Sequence, residues 1–235
     1  VIEKAATFAR QISPVFLQEL HALGTNVTYC KHDVLFLDGD TARYIYLLAE
    51  SRVKLTKTTL DGKELTLEVC GEGDLVGVCG LFEPELHYTS TAVMLSSGPV
   101  FVIARDNLEK FLLQNSLFLA EFLRWMGMMN RRMQSKFRDL LLHGKQGALY
   151  STLIRMCNTY GVPNEDGICI NLPMTNRELA QFIGLTRESV NRMLAELKNQ
   201  NVIDLLPQGY ILVKDLAYLK ETIHCDQCQP EICQL

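Results

Sequence analysis

Long apolar runs, an excess of cations and a catalytic constellation are all missing from this sequence. No stretch reaches the roughly eighteen uninterrupted apolar residues that a membrane span requires, and the opening VIEKAATFAR lacks the charged-then-apolar pattern of a signal peptide. A cytoplasmic protein with no membrane partner is therefore expected. The formal net charge is −4, which gives no global attraction to nucleic acid, so any DNA binding must come from local geometry. No glycine-rich phosphate loop, Ser/His/Asp arrangement or general-base pair stands out, so no catalytic residue is assigned and an enzyme is not expected. Proline is scarce, 7 in 235 residues, and absent from 107 to 142, which leaves room for a long helix.

What is present is a change of texture along the chain. Ser13-Pro14, VFLQELHAL and Gly24 read as a short helix with a cap, a proline in its first turn and a glycine past its end. From Val27 to about Ile103 the apolar runs are of strand length: VLFL, YIYLLA, RVKLTKTTL, ELTLEVC, DLVGVCGLF, TAVML and VFVIA. Asp38-Gly39, Asp61-Gly62, Gly71, Gly73 and Gly98 punctuate them, as an all-β roll requires. KLTKTTLDGKELTLEV is the clearest hairpin.

Residues 107 to about 142 read as one helix. Leu119, Phe122, Met126, Met129 and Met133 fall at alternating three- and four-residue steps and so form one stripe, which can pair with its twin or pack on the preceding roll. Phe118 and Trp125 supply a second apolar face. Gly144 and Gly147 break the helix, and His143-Gly144-Lys145 is the expected hinge.

NRELAQFIGLTRESVNRMLAEL, from Asn176, carries the most specific pattern. Thr175 with Glu178 makes a capping box; Ala180, Gly184 and Val190 have the spacing of a helix-turn-helix, and Leu179, Ile183, Leu185 and Met193 fill the space between its helices. On the early, outward part of the second helix lie Arg187, Glu188, Ser189, Asn191 and Arg192. Arginine donates a bidentate pair to guanine and glutamate accepts from cytosine, which suits a G·C-containing half-site on double-stranded DNA. The alternative is a solvated face with a Glu188–Arg192 pair. NVIDLLPQGYILV then alternates around Pro207-Gln208-Gly209, as a wing or a structural flap would.

These features together, and LAQFIGLTRESVNRML in particular, resemble the CRP/FNR family of bacterial transcription regulators over nearly the whole chain. The resemblance implies an α+β fold: a β-roll sensor-like domain (1–106), a long dimerisation helix (107–142) and a winged helix-turn-helix (143–222), followed by a cysteine-rich tail (223–235). It also implies a homodimer that reads a palindrome and works with RNA polymerase, with Arg187, Glu188 and Arg192 on the family's base-reading positions and a TGTGA-type half-site. In GDLVGVCGLFEPELHYTSTAV, Val78 stands where the family's nucleotide-binding glutamate belongs and Tyr88-Thr89 where its Arg-Ser pair belongs. A cyclic phosphate would lack its charge partner there, so no cyclic nucleotide is expected.

Three of the eight cysteines crowd into the last twelve residues, HCDQCQPEICQL. Cys225, Cys228 and Cys233 form a ligand density suited to zinc or an iron–sulfur cluster, or to a reversible disulfide between the first two. Cys30, Cys70, Cys79, Cys157 and Cys169 lie in apolar or alternating stretches and are expected to be buried small hydrophobes. This tail, with SKFRDLLLHGKQGALYSTLIR, resembles the Bacillus-type Fnr subgroup, in which three cysteines at this spacing and an aspartate hold one 4Fe-4S cluster per subunit. The resemblance assigns that aspartate to Asp139, which on its own would read as an exposed helix acid beside Arg138. It implies oxygen-responsive control of anaerobic metabolism. A zinc- or thiol-controlled regulator, or one sensing a small effector in the roll, remains the alternative.

Overall fold

The computed structural model describes residues 8–225, 228, 229 and 231–234. Most of the opening VIEKAATFAR lies outside them. Two compact units divide the described chain, residues 8–127 and 128–234, and the long helix contributes to both instead of standing as a separate domain.

In the first unit a short helix α1 (Phe8–Gln11) precedes α2 (Pro14–Leu23). Ser13 caps α2 by accepting from the Phe16 amide, Pro14 occupies its first position, and Gly24 ends it in extended backbone. Eight strands follow: β1 (Gly24–Tyr29), β2 (Val34–Phe36), β3 (Tyr44–Leu48), β4 (Val53–Thr58), β5 (Glu64–Cys70), β6 (Leu75–Val76), β7 (Thr91–Met94) and β8 (Gly98–Ala104). They form two antiparallel sheets, ordered β1-β8-β3-β6 and β2-β7-β4-β5. The β4–β5 hairpin turns at Asp61-Gly62, with Gly62 at φ +80°, and a register shift between Leu55 and Thr56 bends it.

DLVGVCGLF does not continue as a strand. Gly77 (φ +86°) and Gly80 (φ +81°) turn the chain out after Val76, and Cys79 is exposed, as is Cys30 just beyond β1. Those two cysteines are therefore not the buried hydrophobes expected; Cys70 and Cys157 are buried, and Cys169 is half-buried.

The helical region opens as α3 (Arg105–Gln114), breaks at Asn115, and resumes as the 27-residue α4 (Ser116–Leu142). The expected single helix is thus two, because Asn115 leaves helical geometry and its side chain donates to the Phe111 carbonyl. Phe16, Phe111 and Phe118 stack in one aromatic knot, their centroids 5.0–6.2 Å apart.

The expected stripe on α4 divides by exposure. Phe122 is only 3 % exposed and packs on Trp125 at 5.5 Å, so it is spent inside its own chain. Met129 is half-buried and accepts from Arg132 through its sulfur. Leu119 and Met126 are half-buried, whereas Met133, with Leu123, Phe137 and Leu140, is exposed. Leu123, Met133, Phe137 and Leu140, the exposed apolar residues among these, lie at spacings of ten, four and three along the helix and so share one face.

The second unit is built around α5 (Gly144–Tyr160), every residue of which from Gly147 to Cys157 is buried. Gly144 starts it at φ +61°. Around α5 lie α6 (Asn176–Ile183), α7 (Arg187–Asn199), α8 (Leu216–Thr222) and a four-stranded sheet of β9 (Gly161–Asn164), β10 (Gly167–Ile170), β11 (Ile203–Leu205) and β12 (Ile211–Val213), ordered β11-β12-β10-β9. The β11–β12 hairpin turns through Pro207-Gln208-Gly209. Gly209 sits at φ +85°, and a Cβ there would stand 2.7 Å from the Met174 carbonyl oxygen.

Candidate functional site

The helix-turn-helix is set by its caps. Thr175 Oγ1 accepts from the Glu178 amide while Glu178 Oε2 accepts from the Thr175 amide at 2.7 Å, which closes the capping box. Gly184 ends α6 at φ +63°, and Thr186 opens α7 by accepting from the Ser189 amide at 3.3 Å. Leu179, Ala180, Ile183, Val190 and Leu194 are all buried between the helices. Because α7 keeps that face inward, Arg187, Glu188, Asn191 and Arg192 are exposed on the other. Ser189 is half-buried, its hydroxyl 3.1 Å from that of Thr186. Asn191 accepts from the Asn176 side chain, which fixes it between the two helix starts. No ion pair joins Glu188 to Arg192 among the described residues. The early part of α7 therefore exposes the charged side chains of Arg187, Glu188 and Arg192 beside an Asn191 amide that is bonded to Asn176.

The C-terminal cysteines meet the end of α4. Cys225, Cys228, Cys233 and Asp139 line one polar cavity of about 10 Å³, together with Arg138, His143, Ser151 and Arg155. The same three cysteines line a wider cleft of about 650 Å³ with Asn158, Lys220 and His224. Burial pushes the Cys233 thiol up to about 12; Arg155 pulls it down and the two neighbouring cysteines push it further up. A metal there must displace that proton.

Asp139 is not the exposed helix acid that its neighbourhood in sequence suggests. It is 5 % exposed. Its Oδ2 accepts from Arg155 Nη2 at 2.5 Å and its Oδ1 from Arg138 Nη2 at 3.0 Å. Arg155 is itself 3 % exposed and also donates to Ser135 Oγ at 2.9 Å and to the carbonyls of Ile232 (3.2 Å) and Gln234 (3.3 Å). Arg132 donates to the Glu231 carbonyl and to Gln234 Oε1, both at 2.7 Å, and Asn158 to the Cys233 carbonyl at 2.8 Å. The tail is thus fastened by side chains of α4 and α5.

Among the described residues, no three His, Cys, Asp or Glu side chains stand grouped as a single metal ion would require. Three thiols and one carboxylate, groups whose chemistry allows them to ligate iron, share the lining of the small cavity.

Sequence reasoning did not single out Arg132, Ser135, Arg155 or Asn158. A signal existed: Arg132, Ser135 and Asp139 make a polar line at helical spacing, and Arg155 is the lone cation in the apolar run LYSTLIRMC.

In the roll, Val78 and Tyr88 pack among the protein's own side chains, whereas Thr89 is exposed. Tyr88 stacks on Phe36 with centroids 3.7 Å apart and donates to the Tyr44 carbonyl at 2.6 Å; Tyr46 donates to the Leu35 carbonyl. Val78 is buried. Burial drives the Tyr46 hydroxyl well above the ordinary phenol range and raises that of Tyr88, with its hydrogen bonds opposing.

Residues 26–115 match the cyclic nucleotide-binding domain family and residues 147–222 the Crp-like helix-turn-helix domain family. The chain is 45% identical over 224 residues to the anaerobic regulatory protein of Bacillus subtilis, covering 95% of this chain and 94% of that one. It is 30% identical to the global nitrogen regulator of a Nostoc species, over 76% of this chain and 80% of the relative. Among solved structures, FixK2 from Bradyrhizobium japonicum shares the fold with a TM-score of 0.73 at 20% identity, covering 85% of this chain and 96% of that one. A CooA mutant from Carboxydothermus hydrogenoformans does so with a TM-score of 0.74 at 20% identity, covering 87% and 90%.

Proposed function

The chain belongs to the CRP/FNR family of DNA-binding transcription regulators, and from that premise we propose an oxygen-responsive member that binds a TGTGA-type palindrome as a homodimer under control of a 4Fe-4S cluster. Cys225, Cys228, Cys233 and Asp139 would hold the cluster. The observation that carries this reading is their common cavity, where the last turn of α4, α5 and the tail come together. When bound, such a cluster supplies a centre that oxidants dismantle. The chain's own residues do the rest: the cysteines tie the tail to Asp139 on α4 and to the helix that carries the core of the DNA-reading unit. Oxygen control then requires that the ligated arrangement favour DNA binding differentially, since equal affinity for both arrangements would shift nothing.

Tyr88, standing where a cyclic phosphate would need a cation, is stacked on Phe36, which supports a sensor at the tail over one in the β-domain. The similarity to a Bacillus anaerobic regulator supports the same direction. For DNA, Arg187, Glu188 and Arg192 would read base edges and Ser189 and Asn191 would support them.

Iron, zinc and acid-labile sulfide per chain, in protein purified without oxygen, test the proposal. About four irons and four sulfides per chain are expected; zinc near one, or no metal, overturns it. Under anaerobic conditions Cys228→Ala should then lose operator affinity by about tenfold or more, read by fluorescence anisotropy, and unchanged affinity would remove the cluster from control.

A further inference from the structure

The carboxylate proposed as a cluster ligand already has a partner. Asp139 is held by Arg155 at 2.5 Å in a buried pair, and the same guanidinium reaches Ser135 and two tail carbonyls, those of Ile232 and Gln234. A buried carboxylate oxygen engaged by a cation cannot be released without cost, because either ion left alone there is uncompensated. Iron and Arg155 therefore compete for one group, and Arg155 is also what fastens the segment containing Cys233.

We propose that Asp139 Oδ2, whose companion Oδ1 is held by Arg138, has two alternative partners, the Arg155 guanidinium in metal-free protein and iron in loaded protein, and that this exchange makes Arg155 the positioning residue that reports the state of the site to the tail. The exchange rests on the cluster reading above. It moves no electron: the Asp139 carboxylate leaves a guanidinium N–H and binds iron as the same anion. What changes is the hold on the tail, since the fork that divided its donors between Asp139 and the carbonyls of residues 232 and 234 loses one of its acceptors. The buried cation also has a use in the loaded state. Three thiolates and a carboxylate bring four negative charges to a 4Fe-4S core, more than it neutralises, and a neighbouring guanidinium offsets the remainder.

Isotope-edited infrared difference spectroscopy, with the Asp139 carboxylate band assigned through Asp139→Asn, tests the exchange directly. In metal-free protein the band should shift on Arg155→Lys or Arg155→Gln. In wild type it should move again on anaerobic loading to a position that Arg155→Lys no longer alters. A second readout uses metal-free protein alone: Cys233 alkylation should be about tenfold faster in Arg155→Gln than in wild type, with exposed Cys30 unchanged as the internal control. If Arg155→Gln does not fold, Arg155→Lys, which keeps the charge but not the fork, carries the comparison with a smaller increase. Iron and sulfide present with the Asp139 band unmoved on loading overturn the exchange and leave the cluster reading standing. No iron and sulfide in wild type overturns both. An Asp139 band insensitive to Arg155 in metal-free protein removes the pair itself.

Discussion

Single side chains would decide both base reading and cluster binding in the proposed regulator, and each can be tested on its own. Arg187 is exposed at the start of α7, where a bidentate pair with guanine would discriminate against a wrong base by roughly 1–3 kcal/mol. Arg187→Ala should weaken binding to a TGTGA-type site by that amount and flatten the preference at one base position, as measured by competition with single-base variants. A uniform loss over all sites would instead make Arg187 a phosphate contact. Buried thiols behave differently. Burial pushes Cys157 up to about 12, with Lys220 opposing. A folded thiol that ionises later than the unfolded one stabilises the fold fully at low pH and loses that contribution as pH rises from the unfolded value of about 9 toward the folded one. Between pH 9 and 11 metal-free protein should lose up to about 3 kcal/mol from this group. Urea unfolding of Cys157→Ala, against wild type, should show a flatter pH dependence there.

At the scale of elements, caps and turns set where the reading helix stands. Removing the Thr175 hydroxyl strips the box that opens α6, so Thr175→Ala should cost about 1 kcal/mol, measured by thermal unfolding of the whole chain. The wing turn is less tolerant. Gly209 has a positive φ and a Met174 carbonyl where a Cβ would go, so Gly209→Ala combines backbone strain with a clash, together costing about 2 kcal/mol or more. Asn115 makes the opposite point. Helical propensity carries the pattern from 107 to 142 without a proline, yet the side-chain bond to Phe111 ends α3 there, a local competition that hydrophobic spacing does not register.

On the scale of the whole molecule, the exposed apolar face of α4 is the surface through which a second copy would be held, as membership of a dimeric family implies. Phe137 is 60% exposed on that face. A charge placed there would have to be buried on pairing, so Phe137→Glu should turn the dimer into a monomer at micromolar concentration in sedimentation velocity, while circular dichroism stays unchanged. Loss of operator binding should accompany it, because two half-sites read together gain by effective concentration.

Much of this was legible without coordinates. Strand-length runs between glycine-containing turns announced the roll, and Thr175, Ala180, Gly184 and Val190 announced the helix-turn-helix, because caps and close crossings depend on neighbours three to six residues apart. The three cysteines of the tail were equally plain. What the sequence could not determine was anything that joins distant segments. Asp139 reads as an exposed acid until α5 brings Arg155, sixteen residues away, against it, and Arg132 and Arg155 gain their purpose only when the tail, some eighty to one hundred residues further along the chain, lays its carbonyls on them. The burial of Phe122 against Trp125 is likewise a matter of tertiary packing that its place on the stripe does not give. Periodicity gives the face a residue occupies, whereas burial of a charge is settled by which partner the folded chain supplies, and that partner is chosen by tertiary packing alone.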